Sequence, residues 1–292
     1  VTGDWLPFLP HLVLLGGGVL IFGGARLFSR PAVWRAAGLL VVTAAAVCAF
    51  GIPAIRAATS PFATAVYVAF LFAAGALILG AWHKVGPDGP TRTYFETHGL
   101  VLCGVACAML TAFVEDAIFV FALLEFTTFA ATALAAQGEP GASVTGVLRR
   151  ANAVQLVSAG LLLLALFLIT FDQGTTNLAE LREQFTEAAH SGAATGLIAG
   201  PSRVARAAFV LLFAAAAVKA FLVPFHFGSP EFLTKSSTTA CSYALVVSRG
   251  AALIVLFRVG MLAFVGFESP GLVVAAVLSG GTMLVGSALA VG

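Results

Sequence analysis

Residues 203–226 read RVARAAFVLLFAAAAVKAFLVPFH. Between Arg206 and Lys219 every side chain is uncharged and most are apolar, which suits a buried or membrane-spanning helix. Lys219 then lies thirteen residues after Arg206, about 20 Å along a helix axis at about 1.5 Å per residue. Five residues later stands Pro224, which has no backbone N–H to give and disfavours helix at the residue before it. The stretch therefore predicts a discontinuous helix near residues 203–245, with a lysine beside the break. Snorkelling of the amine to an interface would also account for a lysine near a helix end. The proline and His226 just beyond shift the balance, because backbone groups opened at membrane depth are tolerated only beside protein or a wet cavity.

The rest of the chain fixes the setting. Of its 292 residues 60% are hydrophobic and 10% charged, with a mean hydropathy of +1.03, against about 45–50% apolar and about 25% charged in soluble domains. An ordinary soluble globule is excluded. Nine apolar runs approach the roughly 20 residues needed to cross a bilayer: 8–28, 32–52, 61–82, 98–114, 117–136, 151–171, 203–223, 240–265 and 270–292. The fold class expected is all-α, a polytopic membrane helical bundle of about nine transmembrane helices. The net charge of +2 offers no electrostatic case for nucleic acid, so the bilayer is the first partner implied.

Arg26, Arg30, Arg35, Lys84, Arg92, Arg149, Arg150 and Lys235 cluster at odd-numbered connections, whereas Glu115, Asp116, Glu180, Glu183 and Glu187 fall at even-numbered ones. The positive-inside rule then places the N-terminus outside; the localisation expected is a multi-pass protein of a bacterial inner membrane. Residues 172–200 form the one sizeable extramembrane piece, and Leu178, Leu181 and Phe185 among acids predict a short amphipathic surface helix. Cys48, Cys103, Cys107 and Cys241 lie in apolar runs without metal-ligand spacing, so neither a disulfide framework nor a zinc site is expected. His98 reads as an interfacial residue at a helix start, and His11 as an edge residue. Arg258, closer to a helix end, reads as snorkelling.

Ionisable groups inside spans cost about 2.5–3.5 kcal/mol on the insertion scale and need a reason. Glu125 lies eight residues into the fifth run, about 12 Å deep, with Thr128 and Thr132 on the same face. Lys219 is the second such group and Arg249 in the eighth run the third. An arginine keeps its proton at any physiological pH, so Arg249 can stabilise charge but cannot relay by titrating. Asn152, Gln155 and Ser158 in the sixth run, and Ser279 and Thr282 in the ninth, are polar, although such groups more often hold helices together than carry ions.

Three motifs carry a resemblance: VKAFLVPFHFGSPE at residues 218–231, VSR at 247–249 and EDAIFVFALLE at 115–125. Together they resemble the antiporter-like proton-channel subunits of respiratory complex I, most closely the N-type subunit. The resemblance implies three leading transmembrane helices followed by five-helix repeats of inverted topology, each with a broken helix. On that pattern residues 1–97 are the leading helices, 98–265 the first repeat and 266–292 the start of a second, so the natural polypeptide is expected to continue. The resemblance also assigns proton translocation to Glu125 as modulating carboxylate, Lys219 as central lysine and His226 as relay histidine after the break at Pro224. Arg249 stands where the family usually has lysine, Gly228 replaces a tryptophan, and residues 233–239 diverge.

The function implied is proton conduction coupled to NADH:quinone oxidoreduction performed by other membrane subunits of a complex I-like assembly. No flavin, iron–sulfur, quinone or nucleotide motif occurs in the chain, so NADH, quinone and iron–sulfur centres are expected only in partner subunits. Subunits of multisubunit cation/proton antiporters and of membrane-bound hydrogenases share the broken-helix motif. A non-conducting membrane scaffold with fixed charge pairs is a third reading.

Overall fold

The computed structural model describes residues 5–24, 31–81, 85–86, 89–90, 92–137, 142–195, 202–223, 225, 232, 235–263 and 268–291. Helices appear in all nine apolar runs: α1 (Leu9–Gly24), α2 (Pro31–Gly51), the short α3 (Pro53–Ala58), α4 (Pro61–Gly80), α5 (Arg92–Leu110), α6 (Ala117–Ala136), α7 (Ala142–Gln173), the amphipathic α8 (Leu178–Thr195), α9 (Arg203–Lys219), α10 (residues 238–263) and α11 (Glu268–Val291). Val85–Gly86 and Gly89–Pro90 pair in a two-residue antiparallel ladder, and Asp116 and Asn177 form an isolated antiparallel bridge. Among the described residues six helices are long and apolar enough to cross a membrane. Leu20, Phe72 and Leu156 are 74%, 79% and 75% exposed, on α1, α4 and α7, and a protein in water does not leave such side chains bare on helix after helix. The chain is a multi-pass integral membrane protein.

Helix starts follow local chemistry. Ser60, Ser202 and Ser237 accept the backbone N–H groups of Ala63, Ala205 and Ala240 at 3.2, 2.9 and 3.3 Å, and Asp116 accepts those of Ile118 and Phe119 at 2.9 and 3.1 Å. Each satisfies a donor that a helix N-terminus leaves open. The start of α5 differs from expectation. α5 begins six residues earlier than its apolar run, because Tyr94 and Phe95 belong to the packed face. His98 is therefore buried within the protein: it is 1% exposed, with Nδ1 2.8 Å from the Tyr94 carbonyl. His11 is likewise 1% exposed, packed edge-on against Tyr67 and Phe113.

The chain forms two compact units. The first comprises residues 1–113, 126–141 and 236–251. Within it α1 crosses α5 at glycines: a Cβ on Gly99 would stand 3.0 Å from the Gly18 carbonyl oxygen, and one on Gly18 2.6 Å from Cys103 Sγ. Close backbone approach of this kind drives helix association in lipid, where apolar burial supplies little. The same unit holds the first half of α10, which passes through a π-helical stretch, Ala244–Ser248, immediately before Arg249.

The second unit comprises residues 114–125, 142–235 and 252–292. Its spine is the antiparallel pair α7 and α9, packed along their lengths. α7 has 32 residues, about 48 Å of helix, longer than the run that predicted it. α8 lays Leu178, Leu181 and Phe185, all buried, against the second π-helical stretch of α10, Leu256–Ala263, and turns Glu180, Arg182 and Glu183 to solvent. The expected amphipathic surface helix is present.

Candidate functional site

α9 ends at Lys219, before the proline that predicted its break. The Leu222 N–H reaches the Ala217 carbonyl at 2.9 Å and the Phe221 N–H that of Val218 at 3.1 Å, the paired bonds of a Schellman cap. Such caps place a left-handed residue after the helix, usually glycine; here it is Phe221, at φ +53°. That conformation costs a side-chain-bearing residue about 1–2 kcal/mol and persists only where the surroundings impose it. One anchor is visible: the Val223 N–H, beyond the break, donates to Thr282 Oγ1 on α11 at 3.1 Å, and that hydroxyl donates to the Leu278 carbonyl at 2.6 Å. Pro224 and His226 lie outside the described residues.

The break leaves Lys219 on the last helical turn, with its side chain 2% exposed. Its Nζ stands 2.9 Å from Oε1 of Glu125, whose side chain is 28% exposed. The structure thus brings together the two groups whose presence in apolar runs demanded explanation. Removing two charges from water costs several kcal/mol per ion, and only a close, well-aimed pair repays it. The pair is lopsided, with the amine sealed and the carboxylate partly open.

Neighbouring contacts hold both partners. On α7 Ser158 Oγ, fully buried, donates to the Ala215 carbonyl of α9 at 2.8 Å, one turn before Lys219. At the head of the helix carrying Glu125, Asp116 accepts Thr176 Oγ1 at 2.7 Å besides capping α6, while the Leu178 N–H donates to the Glu115 carbonyl at 2.8 Å. Slight desolvation opposes ionisation of Asp116, but the hydrogen bonds from Thr176, Phe119 and Ile118 outweigh it and hold the carboxyl below its ordinary value. Arg258, expected to snorkel, donates instead to the Val114 carbonyl.

Arg249 belongs to the first unit, half-buried, with Cys241 as an electrostatic neighbour. Thr128 is buried and the Thr132 hydroxyl donates to the Phe129 carbonyl of its own helix at 2.8 Å. Among the described residues no group of three or more His, Cys, Asp and Glu side chains is placed to hold a metal ion. Sequence reasoning missed the Thr282 anchor, the Asp116–Thr176 latch and the position of the break. Thr282 and Ser158 were visible only as polar positions in apolar runs.

A lysine–carboxylate pair at the C-terminal end of α9 is accompanied by a match of residues 118–292 to the family described as NADH:quinone oxidoreductase/Mrp antiporter, TM. The chain belongs to this family. It is 24% identical over 312 aligned positions to NADH-quinone oxidoreductase subunit N of Geobacillus sp. (strain WCH70), covering 98% of the chain and 61% of that relative. Among solved structures it resembles a chain of the Mrp complex from Dietzia sp. DQ12-45-1b, with TM-score 0.75, 20% identity, and coverage of 98% of this chain and 54% of that one. It also resembles a chain of respiratory complex I from Thermus thermophilus, with TM-score 0.65, 19% identity, and coverage of 86% and 53%. The chain therefore spans little more than half the length of these proteins, and it shares the fold of the solved chains over that span.

Proposed function

We propose that the chain conducts protons across the membrane through a switchable Glu125–Lys219 ion pair, as one membrane subunit of a larger complex whose other subunits carry out NADH:quinone oxidoreduction. The observation that carries this reading is the 2.9 Å approach of a sealed amine to a partly open carboxylate at a helix break. With Glu125 ionised beside it, Lys219 keeps its proton. When the carboxylate is protonated or moves away, the buried ammonium loses its compensating charge and burial favours release of the proton. The resemblance in residues 218–231 supports His226, beyond Pro224, as the next acceptor, with Arg249 biasing the onward path by its fixed charge. Nine membrane crossings, an external N-terminus, a bacterial inner membrane and a first inverted repeat over residues 98–265 belong to the same reading.

Moving one charge against 100 mV needs about 2.3 kcal/mol. The reading assigns that work to NADH, quinone and iron–sulfur centres in partner subunits. In membrane vesicles containing the full-length protein in its complex, Lys219→Met should abolish NADH-driven proton uptake measured by quenching of a pH-sensitive dye. Unchanged uptake per complex would remove Lys219 from the path. The likeness to the Mrp complex chain supports a second reading, a subunit of a cation/proton antiporter. Sodium-driven proton movement in the same vesicles without NADH would favour it.

A further inference from the structure

α7 and α9 are pinned to each other at two points. Ser202 Oγ donates to Asp172 Oδ2 at 2.7 Å, and fourteen residues back along α7, thirteen forward along α9, Ser158 Oγ meets the Ala215 carbonyl at 2.8 Å. These contacts fix an antiparallel register. Three residues further along α7 stands Gln155, and four further along α9 stands Lys219. Both steps keep to one helix face, and they advance about 4.5 and about 6 Å in the same direction. Gln155 and Lys219 therefore lie at one level of the α7–α9 seam.

Gln155 is 91% buried, being 9% exposed, and among the described residues its Oε1 has no hydrogen-bond partner. A buried amide oxygen without a donor costs about 1–3 kcal/mol, and native proteins rarely keep one without use. Asn152, one turn away on α7, is exposed, so the orphaned acceptor is confined to the level of the lysine.

We propose that Gln155 is a positioning residue for Lys219: its side-chain oxygen accepts the ammonium when the amine swings from Glu125, giving the charged lysine a neutral resting point during transfer. An amide suits that task. It accepts a hydrogen bond from the ammonium but cannot titrate, so it bridges two positions of the amine without trapping the charge as a second carboxylate would. Among the described side chains, the charged groups on α6, α7 and the second π-helical stretch of α10 are Glu125 of the ion pair, Arg149 and Arg150 on the exposed face of α7, Asp172 at the far end of α7 bonded to Ser202, and Arg258 directed to the Val114 carbonyl. Of these only Glu125 meets the amine.

The inference rests on the reading of Lys219 as a proton carrier, and the experiment separates the two. NADH-driven proton uptake is measured from about pH 6 to about pH 9 in vesicles holding the assembled complex, normalised to complex content, for the wild type, Gln155→Leu, Gln155→Glu and Lys219→Met. Gln155→Leu should slow uptake about tenfold. Gln155→Glu, which keeps an acceptor but adds charge, should hold the lysine protonated and move the optimum about one pH unit to the alkaline side. A purely packing role gives a different pattern, with leucine tolerated and the optimum of the glutamate variant unmoved, and that pattern overturns the inference. If Lys219→Met abolishes uptake while both Gln155 variants behave as wild type, the inference falls and the function stands. If Lys219→Met transports normally, the function itself falls.

Discussion

Replacing Glu125 and Lys219 singly and together tests whether the charges meet as the structure places them, and the unequal exposure of the two groups sets the magnitudes. At 2.9 Å, two unit charges attract by about 6 kcal/mol at an effective dielectric of about 20. Glu125→Gln leaves the ammonium sealed, at 2% exposure, opposite a neutral amide, and breaking a buried pair in this way costs about 3–5 kcal/mol. Lys219→Met keeps most of the aliphatic bulk and leaves a carboxylate that is 28% exposed and can recruit water, so its cost should be about 1–3 kcal/mol. The double variant holds no orphaned charge and should be no less stable than Lys219→Met alone. The resulting coupling energy is at least the cost of Glu125→Gln, about 3–5 kcal/mol, far outside the additivity expected of independent sites. Thermal or denaturant unfolding of the purified full-length protein in detergent supplies all four values. Equal costs for the two single variants, or additive costs in the double variant, would refute the arrangement of a sealed amine and an open carboxylate.

Other expectations follow from single contacts. Thr282→Val keeps the shape but withdraws the acceptor of the Val223 N–H, and should lower stability by about 1–3 kcal/mol, with faster amide hydrogen exchange at residues 221–223. Gly99→Ala should weaken the α1–α5 crossing, because its Cβ would stand 3.0 Å from the Gly18 carbonyl oxygen and 2.8 Å from Phe22 Cβ; a lower melting temperature in detergent checks it. The carboxyl of Asp116 titrates below its ordinary value in the folded state, so its contribution is present in full above the unfolded value of about 3.9 and is lost as pH falls through the folded value. Acid unfolding profiles should show that loss in the wild type, less of it in Thr176→Val, and none from this group in Asp116→Asn.

Features governed by transfer energies were legible in the sequence. Apolar runs of bilayer length gave helices, the pattern of Leu178, Leu181 and Phe185 gave the surface helix, and the cost of lone charges singled out Glu125 and Lys219, which meet. Features governed by backbone geometry were not. The helix break was assigned to Pro224 because proline advertises itself, whereas the cap that ends α9 turns on Phe221 at positive φ, a position where sequence reasoning expects glycine. The π-helical turns of α10 carry no side-chain signature at all. His98 was read as interfacial because the helix around it starts earlier than the apolar run, its first turn being built from polar residues and aromatics. Polar groups in apolar runs were ambiguous in principle, since a hydroxyl that braces a helix and one that serves a relay look alike until the partner is known.

The break and the ion pair are linked by the arithmetic of the last helical turn. A lysine in mid-helix has its backbone N–H and carbonyl spent on its own ladder, and its ammonium moves only by rotating the side chain. At the end of α9 the carbonyls of Ala216, Ala217 and Val218 are taken by the N–H groups of Ala220, Leu222 and Phe221, while Val223 is held from outside by Thr282. The turn bearing Lys219 is therefore closed by bonds that a change of one residue's dihedrals can undo, and Phe221 stores about 1–2 kcal/mol toward that change. A cap of this kind makes small displacements of the amine cheap compared with shifting an intact helix, which a lysine alternating between two acceptors requires. Phe221→Gly separates this mechanical role from packing. It relieves the strained conformation, so the closed turn should gain protection against hydrogen exchange at residues 220–223 while NADH-driven proton uptake slows. Faster uptake together with greater protection would show that the strain does not serve the transfer.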